Sequence, residues 1–304
     1  MRVFKKTNIN FMAIRGKMYI MSSTIIILGL ISLFVKGVNY GIDFRGGTEL
    51  VLSFTSTPDY GKIRSALTTA GLGDCELKSF GNDQTILIRT TKQEEGMTVA
   101  NNIKDAISKD QTNPPFQSLS EAKIGPKIGK ELRRDAVYAV VATLAIILSY
   151  IAIRYKYIYG VGAVLSLYHD VLLTLGIISI LDGVIPALNL EITQEMIAAF
   201  LTLVGLSVND TVVVFDRIRE NSKIYRSMSL MEIMNKSLND TLSRTIITSG
   251  TILMALLVLL FFGGEVTRGF AFTLTIGITT GTYSSIYIAS AIVLDNQLRK
   301  KLSA

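Results

Sequence analysis

Asp210 sits well inside an apolar segment, in the run Gly205-Leu206-Ser207-Val208-Asn209-Asp210-Thr211-Val212-Val213-Val214-Phe215-Asp216-Arg217-Ile218-Arg219-Glu220. A carboxyl group at membrane depth is costly, which marks it either as a functional group or as a buried acid that holds helices in register. Asn209 and Thr211 flank it and make a polar seam. His169 and Asp170 are consecutive near the middle of another apolar segment. Their Cα–Cβ directions differ by about 100° on a helix, so they are not expected to form one simple pair. Asp170 is expected to face the segment of Asp210 and relay protons. For His169 a relay role and a satisfied structural role both stand open. Arg244, in Thr241-Leu242-Ser243-Arg244-Thr245, opens the next apolar segment. It is either an interfacial arginine that snorkels to water or the charge that modulates Asp210. A nearby guanidinium favours an ionised carboxyl and desolvation favours a neutral one, so a changing separation would couple proton binding to shape. Ser166 is three residues before His169, which admits a hydrolase reading with Ser166, His169 and Asp170, but no oxyanion site accompanies it.

These groups need a scaffold, and composition supplies its class. The chain is 49% hydrophobic and 18% charged, with mean hydropathy +0.42, far from an ordinary soluble domain. Six apolar stretches, at roughly 18–35, 136–153, 158–181, 194–215, 246–262 and 270–294, are long enough to span a hydrocarbon core of about 30 Å. The expected fold is a polytopic α-helical membrane protein with six transmembrane helices. Basic residues crowd the N-terminal tail (Arg2, Lys5, Lys6, Arg15, Lys17), Arg154 and Lys156, the 216–244 connection and Arg299 to Lys301. The positive-inside rule then puts both termini in the cytoplasm, with a basic tail at 1–17, a first span at 18–35, an exported domain at 36–134, five spans within 135–294 and a tail at 295–304. A pI of 9.3 fits contact with anionic membrane lipid, and no aromatic-basic array points to nucleic acid. One Cys and one His make a zinc site improbable, and no cofactor is expected.

The exported domain reads as strand 49–54, helix 60–71, strands 75–80 and 85–89 across the turn Gly81-Asn82-Asp83, helix 98–108 and strand 116–122. That β-α-β-β-α-β order is ferredoxin-like. Cys75 has no partner for an internal disulfide. Before the first strand, Gly41, Gly46 and Gly47 permit a tight hinge, and Asp43 and Arg45 would project from alternate positions if the segment is extended. Gly125-Pro126-Lys127-Ile128-Gly129 is a second candidate hinge. It lacks the spacing and hydroxyl of a phosphate loop. Gly277 and Gly281 make a small-xxx-small pair, and Asp216, Arg217, Arg219, Glu220 and Lys223 read as a solvated helical face.

Four blocks carry a resemblance to a known family. They are Gly41-Ile42-Asp43-Phe44-Arg45-Gly46-Gly47-Thr48, His169-Asp170-Val171-Leu172-Leu173-Thr174-Leu175-Gly176, the Asn209-Asp210 run, and Gly281-Thr282-Tyr283-Ser284-Ser285-Ile286. In this order they resemble the SecD/SecF family of protein-export membrane proteins, within the resistance-nodulation-division superfamily. One departure is Leu206, where the family commonly carries Tyr. The resemblance implies six spans of a paired architecture, a separate SecD partner, and use of a proton or sodium gradient to assist late steps of preprotein translocation. It implies proximity to the Sec channel (SecY, SecE, SecG), with YajC and YidC as further candidate neighbours, and contact with the translocating preprotein. It implies a bacterial inner-membrane location and no enzymatic chemistry. It also casts Asp210 as the proton-binding carboxyl, Arg244 as its charge modulator, and the Gly41–Gly47 block as an ordered hinge. The alternatives are a proton-coupled small-molecule exporter of the same superfamily and a non-catalytic assembly scaffold.

Overall fold

The computed structural model describes residues 7–92, 94–110, 113–155, 157–185, 188 and 190–302. Arg2, Lys5, Lys6 and Lys156, four of the basic residues behind the predicted orientation, lie outside the described residues. Two compact units emerge: Met1–Val38 with Val140–Leu190 and Glu195–Ala304, and Asn39–Ala139 with Glu191–Gln194.

The first unit is helical. A 3-10 turn at Phe11–Ile14 leads into α1 (Arg15–Lys36). After the second unit come α5 (Pro126–Arg154), α6 (Tyr157–Leu181), α7 (Gln194–Ile224), α8 (Leu230–Phe262), α9 (Glu265–Ser284), a π-helical turn at Ser285–Ala289, and α10 (Ser290–Leu302). Among the described residues, six segments are long and apolar enough to cross a membrane: Phe11–Lys36, Pro126–Ile151, Tyr157–Leu181, Gln194–Ile224, Leu230–Phe262 and Thr267–Arg299. Several helices run past their apolar windows. α8 begins at Leu230, well before the apolar run near 246, because Ser229 and Glu232 form a reciprocal capping box there. α5 begins at Pro126, where proline's fixed φ suits a first helical turn.

Small residues bring the helices together. A Cβ on Gly29 of α1 would lie 2.3 Å from the Cα of Gly176 on α6, so these backbones touch. Gly277 and Gly281 of α9 make room for Leu203 and Ser207 of α7, at 2.7 and 3.1 Å from the missing Cβ atoms. This is the close approach that small residues allow where no water drives helices together. A buried apolar cluster of Met12, Ile151, Phe215, Ile218, Met234 and Leu294 packs the end where the 3-10 turn docks. Large apolar side chains such as Phe34, Ile153 and Phe262 stay exposed at 92%, 88% and 84%, which hydrocarbon tolerates and water does not.

The second unit is α+β. A single helical turn, α2 (Ile42–Arg45), precedes β1 (Gly47–Phe54), α3 (Tyr60–Thr69), β2 (Glu76–Phe80), β3 (Asn82–Thr90), α4 (Thr98–Lys109) and β4 (Phe116–Ile124). The sheet order is β2-β3-β1-β4 with every pairing antiparallel, the ferredoxin-like arrangement that the element order predicts. Period-2 alternation puts Leu50, Leu52 and Phe54 of β1 and Ile86 and Ile88 of β3 against Ile63, Leu67, Ile103 and Ile107 of the two helices. Asp59 starts α3 by accepting from the N–H groups of Gly61 and Lys62.

Candidate ion-coupling site

The site is built from hydroxyls that line up between helices. Asp210 lies on α7, roughly 24 Å along the helix from Gln194 at 1.5 Å per residue. Its Oδ2 accepts a hydrogen bond of 3.3 Å from Ser249 Oγ of α8. Ser249 in turn accepts from Thr282 Oγ1 of α9 at 2.8 Å. Three helices therefore meet at one carboxyl. Beside it lies a cavity of about 20 Å³ lined by Leu206, Ser207, Asn209, Asp210, Ser249 and Thr282, among others, room for roughly one water in a polar setting.

Ser207 links that cavity to a second carboxylate. Its Oγ donates to Asp170 Oδ2 at 2.5 Å, and Ser284 Oγ donates to the same oxygen at 2.8 Å. Asp170 is 1% exposed, so both bonds are made in a medium where an unpaired carboxylate would be very costly. Gly281 keeps the approach open, since a Cβ there would lie 3.1 Å from Ser207 Cβ and 3.6 Å from Asp170 Oδ2.

One sequence expectation is overturned here. His169 Nδ1 lies 3.0 Å from Asp170 Oδ1, so the consecutive pair does interact. The Cα–Cβ vectors still diverge, but side-chain torsions let the imidazole and the carboxylate swing into the same interhelical space. His169 Nε2 is buried without a hydrogen-bond partner among the described residues. Ser166 Oγ donates to Ser284 Oγ at 3.0 Å. The Ser–His contact on which a hydrolase reading depends is not among the hydrogen bonds of these residues.

The other predicted residues fall in different places. Asn209 is exposed and lines the cavity. Arg244 is exposed on α8, and no ion pair joins it to Asp210 among the described residues. Arg217 does more than coat a solvated face: it pairs with Asp240 of α8 at 2.8 Å as well as with Glu220 at 2.8 Å. Gly41, Asp43, Arg45, Gly46 and Gly47 belong to the α+β unit. There Asp43 and Arg45 occupy one helical turn and not an extended segment. Gly46 has φ +75, and Gly47 has φ +155 with its missing Cβ 2.5 Å from the Thr90 carbonyl oxygen. The strand entry is therefore open only to glycine. Gly129 packs against the same turn, its missing Cβ 3.0 Å from Gly46 N.

Ser207, Ser249, Thr282 and Ser284 carry this geometry, and the sequence reading assigned none of them a role. The available signal is a hydroxyl residue recurring within apolar spans. Ser285 Oγ also meets Thr211 Oγ1 at 2.9 Å where the last span turns π-helical, a distortion found often at functional sites.

Comparison with known proteins decides the family. The model for the "Protein export membrane protein SecD/SecF, C-terminal" family matches residues 103–299, and that for the "SecD/SecF GG Motif" matches residues 31–58. The chain belongs to the SecD/SecF family. Among curated relatives, the protein translocase subunit SecF of Rhodothermus marinus is 44% identical over 98% of this chain and 96% of its own length. That of Thermodesulfovibrio yellowstonii is 44% identical over 96% of each. Among solved structures, the crystal structure of SecDF, a translocon-associated membrane protein from Thermus thermophilus, superposes with a TM-score of 0.84 at 36% identity, covering 96% of this chain. A super-membrane-facing form of SecDF gives 0.71 at 35% identity over 100% of this chain. This chain spans about two fifths of those SecDF chains, 39% and 40%.

Proposed function

We propose that the chain is a Sec translocation accessory subunit of the SecF type, in which Asp210 binds the coupling ion and thereby changes the packing of α7 against α8 and α9. The family match supports the translocation role, since the relatives are named protein translocase subunits. The observation that carries the mechanism is the hydroxyl-lined route from Asp210 through a one-water cavity to Ser207 and Asp170. Every group on it can pass or hold a proton, which supports protons as the coupling ion. The chain aligns with only part of SecDF, and a separate SecD subunit would supply the remainder. The setting is the bacterial cytoplasmic membrane with both termini on the cytoplasmic side. The Sec channel, the moving preprotein and lipid are its neighbours. The role is transport-assisting and not enzymatic, and the hydroxyl of Ser166 is engaged with Ser284. Asn209 shapes the cavity, and Arg244 acts on Asp210 as a charge whose distance changes through the cycle.

The test is preprotein export in cells whose only copy is Asp210→Asn, after accumulation and co-purification with SecD are verified. The expected result is loss of the gradient-stimulated part of export with assembly intact. Normal export with unchanged gradient dependence would overturn the assignment and leave a scaffold.

A further inference from the structure

Residues Glu191–Gln194 lead directly into α7, yet they are part of the α+β unit. They are held there from several sides. The backbone of Ile192 donates to the Asn39 carbonyl at 2.8 Å and accepts from Gly41 N–H at 2.9 Å, forming a short parallel bridge between Tyr40 and Ile192. Asp43 Oδ2 accepts from the backbone N–H of Gln194, the first residue of α7, at 3.0 Å. A Cβ on Gly41 would come within 3.0 Å of Thr193 Cγ2, so the two stretches run in direct contact.

Glu191 completes the attachment. Its carboxylate is buried, with Oε1 accepting from Lys78 Nζ of β2 at 2.5 Å and Oε2 from Arg89 Nη1 of β3 at 2.6 Å. Arg89 also donates from Nε to Glu49 Oε2 at 2.6 Å, the residue directly opposite it on β1. Burial disfavours the charge on Lys78 and Arg89, but the surrounding carboxylates outweigh it and raise both pKa values, so both cations persist at any physiological pH. A buried carboxylate paired through both oxygens gains little net stability over an apolar packing, because desolvation offsets attraction. What it does supply is a fixed geometry, lost sharply when one partner is removed.

Resting on the assignment of Asp210 above, we infer that Glu191–Gln194 is the linkage through which the exported domain and α7 are coupled, with Glu191 as its positioning residue. α7 starts at Gln194 and carries Asp210 on the same continuous helix, and a helix with an intact hydrogen-bond ladder transmits a displacement along its axis. Packing changes set off at Asp210 would reach β2 and β3 through this strap. Glu191 itself binds neither ion nor preprotein.

The experiment places Glu191→Ala, Glu191→Gln and Glu191→Asp beside Asp210→Asn, each as the only copy, and measures export with and without an ionophore. Accumulation, co-purification with SecD and protection of the Cys75 thiol report whether the domain stays folded. The expected result is a folded, assembled Glu191→Gln protein that loses the gradient-stimulated part of export, with partial recovery in Glu191→Asp. Combining Glu191→Ala with Asp210→Asn should be no worse than Asp210→Asn alone. Wild-type gradient stimulation in Glu191→Gln and Glu191→Ala, alongside a defective Asp210→Asn, would overturn the linkage and leave the ion-coupling assignment standing. Normal export in Asp210→Asn would overturn both.

Discussion

The α+β unit has a built-in reporter of its own stability, because Cys75 is the chain's single cysteine and is 4% exposed against that unit's core. A thiol reagent reaches it only when the domain opens, so with fast reclosing the labelling rate is the free-thiol rate times the opening equilibrium constant. Ile103 of α4 is fully buried in the same core. Ile103→Ala removes three methyl or methylene groups, about 2.4 kcal/mol of transfer free energy at 0.8 kcal/mol each. The residual cavity brings the cost to about 3.5 kcal/mol, within the usual range for such truncations. At 1.4 kcal/mol per tenfold, labelling of the full-length membrane protein should speed up about 300-fold. Leu119→Ala, at a position 58% exposed on β4, should change it less than about twofold. A rate indifferent to Ile103→Ala would refute a single cooperative core that encloses Cys75. Burial holds the Cys75 thiol above its ordinary value of 9.0. The folded domain therefore disfavours the thiolate, and that contribution to stability, complete below pH 9.0, is lost as pH rises from there through the folded-state value.

The remaining predictions use the same protein. Gly47→Ala forces a Cβ to within 2.5 Å of the Thr90 carbonyl oxygen at φ +155, a strain of about 1–3 kcal/mol that should raise Cys75 labelling about 5- to 100-fold. Gly281→Leu inserts a side chain between Ser207 and Asp170. It should cost about 1–3 kcal/mol of helix packing, read as a lower melting temperature in detergent, while Gly250→Leu, with open space at its Cβ, serves as the near-neutral comparison.

The sequence made the broad architecture legible for physical reasons that can be named. Six apolar stretches are long enough to cross the hydrocarbon core of a bilayer, and the alternation of 49–54 and 85–89 follows from a sheet with one face against helices. Helix starts were less visible: the capping box of Ser229 and Glu232 extends α8 into a charged stretch that hydropathy alone reads as a connection. Asp210 and Asp170 stood out because carboxyls are costly among apolar residues. Ser207, Ser249 and Ser284 did not, because a serine is cheap on a helix and its importance depends on which helix faces it. The meeting of His169 with Asp170 turned on side-chain torsions, which periodicity does not encode. The pairing of Glu191 is not legible locally, because its partners Lys78 and Arg89 lie more than a hundred residues away in the chain.

The two acids within the apolar spans, Asp170 buried and Asp210 half-buried, are provisioned differently, and under the proposed role the difference favours Asp210 as the one that responds to an ion. Asp170 accepts two short hydroxyl bonds and faces the His169 ring, so its partners are already committed. Asp210 accepts one longer bond, from Ser249, and borders the cavity. A carboxylate can only accept, whereas a protonated carboxyl must also donate. Protonation of Asp210 on Oδ2, the oxygen that Ser249 contacts, would put two donors, the acid and Ser249, on one contact. Ser249 would then turn its single proton elsewhere and accept from Asp210 as well as from Thr282, which already donates to it. These three residues sit on α7, α8 and α9, so a proton placed there would re-sort hydrogen bonds among three helices. In a low-dielectric interior a mismatched donor is costly enough to favour discrete repacking over gradual drift. Gly281 and Gly277 leave α9 close enough to α7 for a small shift to matter. On the proposed role, the hydroxyl on Ser249 should be worth more to coupling than to stability: Ser249→Ala nearly keeps the packing volume, but it removes the group that joins Asp210 to Thr282.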